Sequence, residues 1–324
     1  MELLQKYNTV LTNHLNDVVR TKEPAQLYEP IQYILTLGGK RLRPVLTLLA
    51  ADFFGDQDHK AIHAALAVEL FHNFSLIHDD IMDNAPLRRG QQTVHEKWDI
   101  NTGILSGDAM LILAYQLFEG YEPSQFQELA KLFSKTALEV CEGQQYDVDF
   151  ETRDDVTIAE YIKMIDYKTA VLIGAAMKMG AIVAGASQAC CEGIYEFGRN
   201  LGIAFQLQDD YLDAFGNPKT FGKQIGGDII ANKKTFLYLT AVANSDPNDS
   251  QTLEYLFGVN PKDPSDKIET VKELFVSSGA AKATIAEIES YTTKANDILE
   301  GIKLSEEKKE KLKSFGQWLM KRTV

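Results

Sequence analysis

Cysteine is scarce in this chain: three in 324 residues, at Cys141, Cys190 and Cys191. Cys190 and Cys191 are adjacent and no C-x-x-C pair occurs, so a disulfide framework is not expected and reduced, cytoplasmic thiols are. Positive charge is also short, with 33 Lys and Arg against 46 Asp and Glu and a net charge of −13. Nucleic acid demands a basic footprint, so it is excluded as a partner, and an anionic membrane surface is disfavoured on the same ground. No run of about 18 apolar residues exists, so no stable membrane insertion is expected. Met1 to Arg20 carries polar and charged residues from the second position and no secretory apolar region. The G-x-S-x-G, P-loop and G-x-G-x-x-G fingerprints are missing, which argues against hydrolase, kinase and dinucleotide-binding readings. The histidines show no H-E-x-x-H or similar spacing, so zinc is not expected.

Strand signals are missing too, and what remains is helical. Apolar residues recur at three and four over Ile31–Leu37, Val45–Phe54, Ala61–Met82, Ile104–Phe118, Phe126–Val140, Ile158–Val183 and Ile194–Phe215. Breaks fall at Gly38-Gly39, Gly55-Asp56, Gly120 to Pro123, Gly216-Asn217-Pro218 and Asp246-Pro247-Asn248. Thr157 with Glu160 makes a capping box ahead of a single long helix to Val183, and Pro44 suits the first turn of a helix after Gly38-Gly39. No Pro/Ser/Gly linker divides the sequence. A hydrophobic fraction of 45% supports a sizeable core. The expectation is one all-α domain over residues 1–324, a bundle of roughly ten or more helices around a central apolar cavity.

Two copies of one acidic signature stand out: Asp79-Asp80-Ile81-Met82-Asp83 and Asp209-Asp210-Tyr211-Leu212-Asp213, both D-D-x-x-D inside apolar helical pattern. Residues three and four apart share a helix face, so Asp79 and Asp80 each project with Asp83, and the second copy repeats this. Like charges gathered on one face need positive neutralisation. Two such faces opposed across a helical core would hold hard divalent cations, and Mg²⁺ held this way keeps waters and recruits substrate phosphates. A lone copy could equally be a solvated acidic face; two copies flanked by apolar residues are harder to read so.

Basic residues accompany the acidic ones. Gly38-Gly39-Lys40-Arg41-Leu42-Arg43-Pro44 places a flexible turn and three cations before a helix start, a phosphate cradle or a generic basic turn. Arg88-Arg89-Gly90 offers bidentate phosphate donors, or is salt-bridged to the neighbouring carboxylates. Lys168-Thr169 sits within the long helical segment, and Lys223 and Lys233-Lys234-Thr235 follow the second acidic motif. His72 lies two helical turns before Asp79 on the same stripe, and His78 directly precedes the motif.

In this order, these landmarks resemble the trans-isoprenyl diphosphate synthases, with Gly107-Asp108, Gly143-Gln144, Asp147, Phe205-Gln206-Leu207-Gln208 and Gly226-Gly227-Asp228 completing the set. The landmarks cover about two thirds of the chain. The resemblance implies a Mg²⁺-dependent prenyltransferase that joins isopentenyl diphosphate to an allylic diphosphate (dimethylallyl, geranyl or farnesyl), with three ions at the site when substrate is bound. It implies that Asp79, Asp83 and Asp209 ligate Mg²⁺, supported by Asp80, Asp210 and Asp213. Arg88, Lys168, Lys223 and Lys233 would contact the allylic diphosphate, with Thr169 and Gln206 nearby and able to stabilise an allylic cation. Lys40, Arg43, His72 and Arg89 would hold isopentenyl diphosphate. A homodimer is implied as well.

The helix carrying Asp79 should wall a tunnel for the growing tail, because one helical turn rises about 5.4 Å, comparable with an isoprene unit. Ser75 lies one turn below Asp79 and Phe71 two turns below; the resemblance alone nominates Phe74. One aromatic at that position, a small residue next and no two-residue insertion in the first D-D-x-x-D look more like geranylgeranyl synthases, so the resemblance implies a C20 (geranylgeranyl) product ahead of C15 (farnesyl), with longer products behind. Phe71 and Phe74 could also simply fill the core. A class I terpene cyclase would not need Lys40, Arg43 and His72, and a non-catalytic regulatory subunit would be expected to have lost motif residues.

Overall fold

The computed structural model describes residues 2–18, 22–55, 57–217 and 225–320. In chain order it contains α1 (Glu2–Val18), α2 (Ala25–Thr36), α3 (Leu42–Gly55), a 3-10 turn (Asp58–Ala61), α4 (Ile62–Met82), β1 (Leu87–Arg88) and β2 (Gln91–Gln92). Then follow α5 (Val94–Lys97), α6 (Ile100–Gln116), α7 (Pro123–Thr152), α8 (Ile158–Ile165), a π turn (Asp166–Ala170), α9 (Val171–Val183) and α10 (Gln188–Phe215). The last are α11 (Gly227–Ile230), α12 (Phe236–Asn244), α13 (Pro247–Leu256), α14 (Ser265–Ser277), α15 (Ala280–Glu300) and α16 (Glu306–Met320). The fold is all-α. The two-residue strands pair antiparallel, Leu87 with Gln92 and Arg88 with Gln91.

The chain divides into two compact units, Met1–Ala137 with Ala175–Tyr195, and Leu138–Gly174 with Glu196–Val324. In the first, α4 is the central element and packs most extensively on α6, then on α3. Its buried positions run almost around the helix, Leu66, Val68, Leu70, Phe71 and Ile77 among them, as expected of a helix covered on most sides. Aromatic rings fill the space beside it: Phe133 packs edge-on to Phe71, Tyr115 and Phe118 with centroids 4.7–5.3 Å apart. A Cβ at Gly180 of α9 would fall on the Thr47 carbonyl and lie 2.9 Å from the Ala50 Cβ, so glycine lets α9 and α3 touch backbone to backbone.

In the second unit, Phe150, Tyr161, Ile165, Ile203, Leu207 and Phe236 form one buried cluster. Leu237, Ala241, Leu253, Val271 and Phe275 form another. The capping box is present: Thr157 Oγ1 accepts from the Glu160 N–H at 3.2 Å, and the Glu160 carboxylate accepts from the Thr157 N–H at 2.9 Å. Asp246 caps α13, accepting from Asn248 N at 2.9 Å and Asp249 N at 3.0 Å.

One sequence expectation needs correction. The segment Ile158–Val183 is not one uninterrupted α-helix; the π turn breaks it at Asp166–Ala170. Arg88 closes β1, and Arg89-Gly90 form the bend of the short hairpin, with Arg89 at φ 55° and Gly90 at φ 76°.

Candidate active site

Asp79 and Asp80 lie in the last turn of α4 and Asp83 is its C-terminal cap. The second triplet occupies the last turns of α10. Carboxylates at a helix C-terminus face the negative end of the macrodipole, so both placements are unfavourable until cations arrive. The two triplets differ in how they are held.

In the first unit Asp80 is buried and Arg88 grips it with two bonds, Nε to Oδ2 at 2.8 Å and Nη2 to Oδ1 at 2.7 Å. Arg88, expected to contact a diphosphate, is thus anchored to the acidic motif. Asp83 is exposed and Asp79 half-buried. His78 packs on Phe74 with ring centroids 4.7 Å apart and takes the space a Cβ at Gly107 would fill. His78 therefore positions α4 against α6, and Gly107 is glycine for that contact.

The other basic residues of this unit converge. Arg43 Nη1 donates to His72 Nε2 at 3.2 Å, which requires the neutral ring with its proton on Nδ1. Burial, then the charges of Arg43, Arg89 and Arg88, push His72 well below the ordinary imidazole value. The Arg89 guanidinium lies 2.7–2.9 Å from where a Cβ at Gly39 would stand, with Gly39 at φ 128°. Burial lowers Arg89 and takes Arg43 down to about 10, which leaves Arg43 charged at neutral pH. Lys40 is exposed beside Gly39. Three of the four residues expected to hold isopentenyl diphosphate, Arg43, His72 and Arg89, thus share one neighbourhood, and Lys40 follows Gly39 in the chain. Beneath them lies Glu69, buried on α4 with Arg41 Nε 4.0 Å away. Burial raises Glu69, while Arg41, Arg43 and Arg89 oppose that. Sequence reasoning passed over Glu69, although a lone carboxylate within Ala67-Val68-Glu69-Leu70-Phe71 was a signal.

In the second unit a chain of hydrogen bonds ends on Asp210. Thr169 Oγ1 donates to Gln206 Oε1 at 3.2 Å, Gln206 Nε2 donates to Asp210 Oδ1 at 3.0 Å, and Tyr161 donates its hydroxyl to Asp210 Oδ2. Burial and then Asp228 push Asp210 well above the ordinary carboxylate range. Asp213 accepts from the Asp228 N–H at 2.9 Å. Asp210, Asp213, Asp228, Lys233 and Thr235 line a small cavity backed by Phe257 and Phe275. Lys168 Nζ lies 2.7 Å from Asp147, and Lys233 Nζ bridges Asp147 at 3.5 Å and Glu151 at 2.9 Å. Burial would raise Asp147, but the two ammonium groups outweigh it and hold the carboxyl below its usual value. Among the described residues neither amide atom of buried Gln144 has a hydrogen-bond partner. Lys223 lies outside the described residues. Tyr161 and Glu151 were also missed; a tyrosine on an apolar helix face and a carboxylate on a polar one carry no local signal.

Among the described residues no three His, Cys, Asp or Glu side chains converge into a ready metal cage. The donors available at both motifs are carboxylate oxygens, which suit Mg²⁺ completing its shell with water and phosphate and do not suit zinc.

The sequence matches the family model for polyprenyl synthetase over residues 24–274. The chain belongs to that family. It is 42% identical over 229 residues to a geranylgeranyl diphosphate synthase of Methanosarcina mazei, covering 70% of this chain and 71% of that protein. It is 37% identical over 269 residues to a geranylfarnesyl diphosphate synthase of Natronomonas pharaonis, covering 75% and 79%. A crystal structure of a geranylgeranyl pyrophosphate synthase superposes with a TM-score of 0.95 at 54% identity, covering 99% of both chains. No helix among the described residues of this polyprenyl synthetase is long and apolar enough to cross a membrane.

Proposed function

We propose that this polyprenyl synthetase is a Mg²⁺-dependent prenyltransferase that condenses isopentenyl diphosphate head to tail with an allylic diphosphate, with geranylgeranyl diphosphate (C20) as its main product. The observation that carries the reading is the gathering of Arg43, His72 and Arg89 beside the Gly39-Lys40 turn, in a chain with both acidic motifs intact. A terpene cyclase has one diphosphate to bind and no use for that second basic cluster. The names of the relatives support C20, and the single domain over residues 1–324 is supported by a family match that runs through both compact units.

Asp79, Asp83 and Asp209 would hold Mg²⁺, three ions when substrate is bound, with Asp80, Asp210 and Asp213 behind them. The bound ions would supply charge neutralisation of the departing diphosphate. Arg88, Lys168, Lys223 and Lys233 add fixed positive charge to the same leaving group. The allylic C–O bond breaks, and the electron pair leaves with the diphosphate. Lys40, Arg43, His72 and Arg89 orient isopentenyl diphosphate so that its double bond forms the new C–C bond at C1 of the allyl cation. The adjacent proton then passes to the departed diphosphate. Gln206 is fixed at both ends of its amide, and its oxygen with that of Thr169 presents negative dipoles suited to a cation.

Phe74, 8% exposed and packed on Phe71 at 5.6 Å, sets the depth available to the tail, with Ser75 leaving room beside it. Three free thiols and the absence of a spanning helix among the described residues support a cytoplasmic location. Exposed Ile104, Leu105 and Ile112 on α6 support a homodimer.

The test is product analysis with labelled isopentenyl diphosphate, Mg²⁺ and separate C5, C10 and C15 primers. Elongation to C20 that EDTA abolishes is expected. Termination at C15 or beyond C20 would overturn the product assignment. Consumption of an allylic diphosphate without elongation would point to a cyclase, and inertness to a regulatory subunit.

A further inference from the structure

The π turn is defined by the Val171 N–H donating to the Asp166 carbonyl five residues back. Such turns are rare and unstable alone, and they concentrate where function needs a displaced side chain. Here two helices are cut to fit it. On α7, a Cβ at Gly143 would fall on the Lys168 backbone nitrogen and lie 2.7 Å from its Cα. One turn further along α7, Asp147 meets the Lys168 ammonium at 2.7 Å. On α10, a Cβ at Gly202 would lie 2.7 Å from the Ala170 Cα, and one turn further Gln206 meets Thr169.

Arg199 stands one turn before Gly202 on the same stripe of α10. It closes on the first residue of the π turn, Nε to Asp166 Oδ1 at 2.7 Å and Nη2 to Oδ2 at 2.5 Å. Asp166 is 5% exposed, so it depends on that partner. Glu196 braces Arg199 from the other side at 3.3 Å.

We propose that Arg199 and Asp166 form a positioning clamp that holds the π turn in the register delivering Lys168 and Thr169 to the substrate. The proposal rests on the prenyltransferase reading for what those two residues deliver. Relaxation of the turn to α-helix would shift the register by one residue and rotate both side chains by about 100° around the axis. The clamp touches no substrate; it acts through the turn.

The experiment compares Arg199→Gln and Arg199→Lys with the wild-type full chain by amide hydrogen exchange, thermal melting and kinetics with each substrate varied separately. In Arg199→Gln, faster exchange confined to residues 166–170 and their neighbours is expected. The same variant should lose about 100-fold in kcat/KM for the allylic substrate with KM for isopentenyl diphosphate unchanged. Arg199→Lys should restore part of the loss, and Arg199→Gln combined with Asp166→Asn should be no worse than Arg199→Gln alone. Wild-type exchange and kinetics in Arg199→Gln would overturn the clamp. So would exchange rising throughout the chain with activity falling only as the folded fraction falls. Should Arg199→Gln not fold, Arg199→Lys decides by the same readouts. A wild-type chain that elongates no primer overturns the prenyltransferase reading, while the exchange pattern still judges the clamp.

Discussion

Asp80 is a carboxylate with almost no access to water, and Arg88 supplies two of its hydrogen bonds. Removing the arginine strands a buried charge, so Arg88→Ala should lose about 3 kcal/mol in urea unfolding, and adding Asp80→Asn should return part of it. His72 gives a pH dependence whose sign follows from its neighbours. Its folded value lies well below the ordinary 6.5, because burial and arginines disfavour the imidazolium. Above pH 6.5 the ring is neutral in both states and contributes nothing. Below it the unfolded chain takes up a proton that the folded chain refuses, so stability falls as pH drops toward the folded value. Glu69, raised by burial, acts with the opposite sign, favouring the fold as pH falls toward its ordinary 4.5. Comparison with His72→Gln isolates the imidazole: the wild type should destabilise more steeply from about pH 6.5 downward.

The π turn was not legible because inserting one residue into a helical turn leaves composition and apolar spacing almost unchanged; Asp166–Ala170 reads as ordinary helix. The capping box at Thr157 and Glu160 was legible, because it depends on two residue types three apart. Thr157→Ala should cost about 1 kcal/mol in denaturant unfolding with m unchanged. Gly180 sets propensity against packing. Alanine would gain roughly 1 kcal/mol of helix propensity, but its Cβ would fall on α3 backbone at Thr47. Contact should win, with Gly180→Ala melting lower by an amount equivalent to about 2 kcal/mol.

The all-α fold was legible from periodicity that continues with few breaks, and the acidic and basic residues proposed for the site stand out by residue type. The two compact units were not, because their boundaries at 137–138, 174–175 and 195–196 fall inside helices and no linker composition marks them. The glycine contacts at Gly143 and Gly202 were invisible for a related reason: closeness between helices distant in sequence leaves no local trace. In solution a homodimer of the 36.2 kDa chain is expected by light scattering, and Leu105→Glu on the exposed apolar stripe of α6 should yield monomer.

On the proposed reading, a diphosphate arriving at Lys168 and Lys233 would not meet two vacant cations; because the two share Asp147, it would displace a resident anion. Entry becomes an exchange, with its affinity set by a difference between two sets of contacts. Once the carbon–oxygen bond had broken, the same carboxylate would be in place to reclaim both ammonium groups and hasten the exit of pyrophosphate. Neutralising it would favour the occupied state: Asp147→Asn should lower the pyrophosphate concentration that half-inhibits turnover and make product departure the slow step.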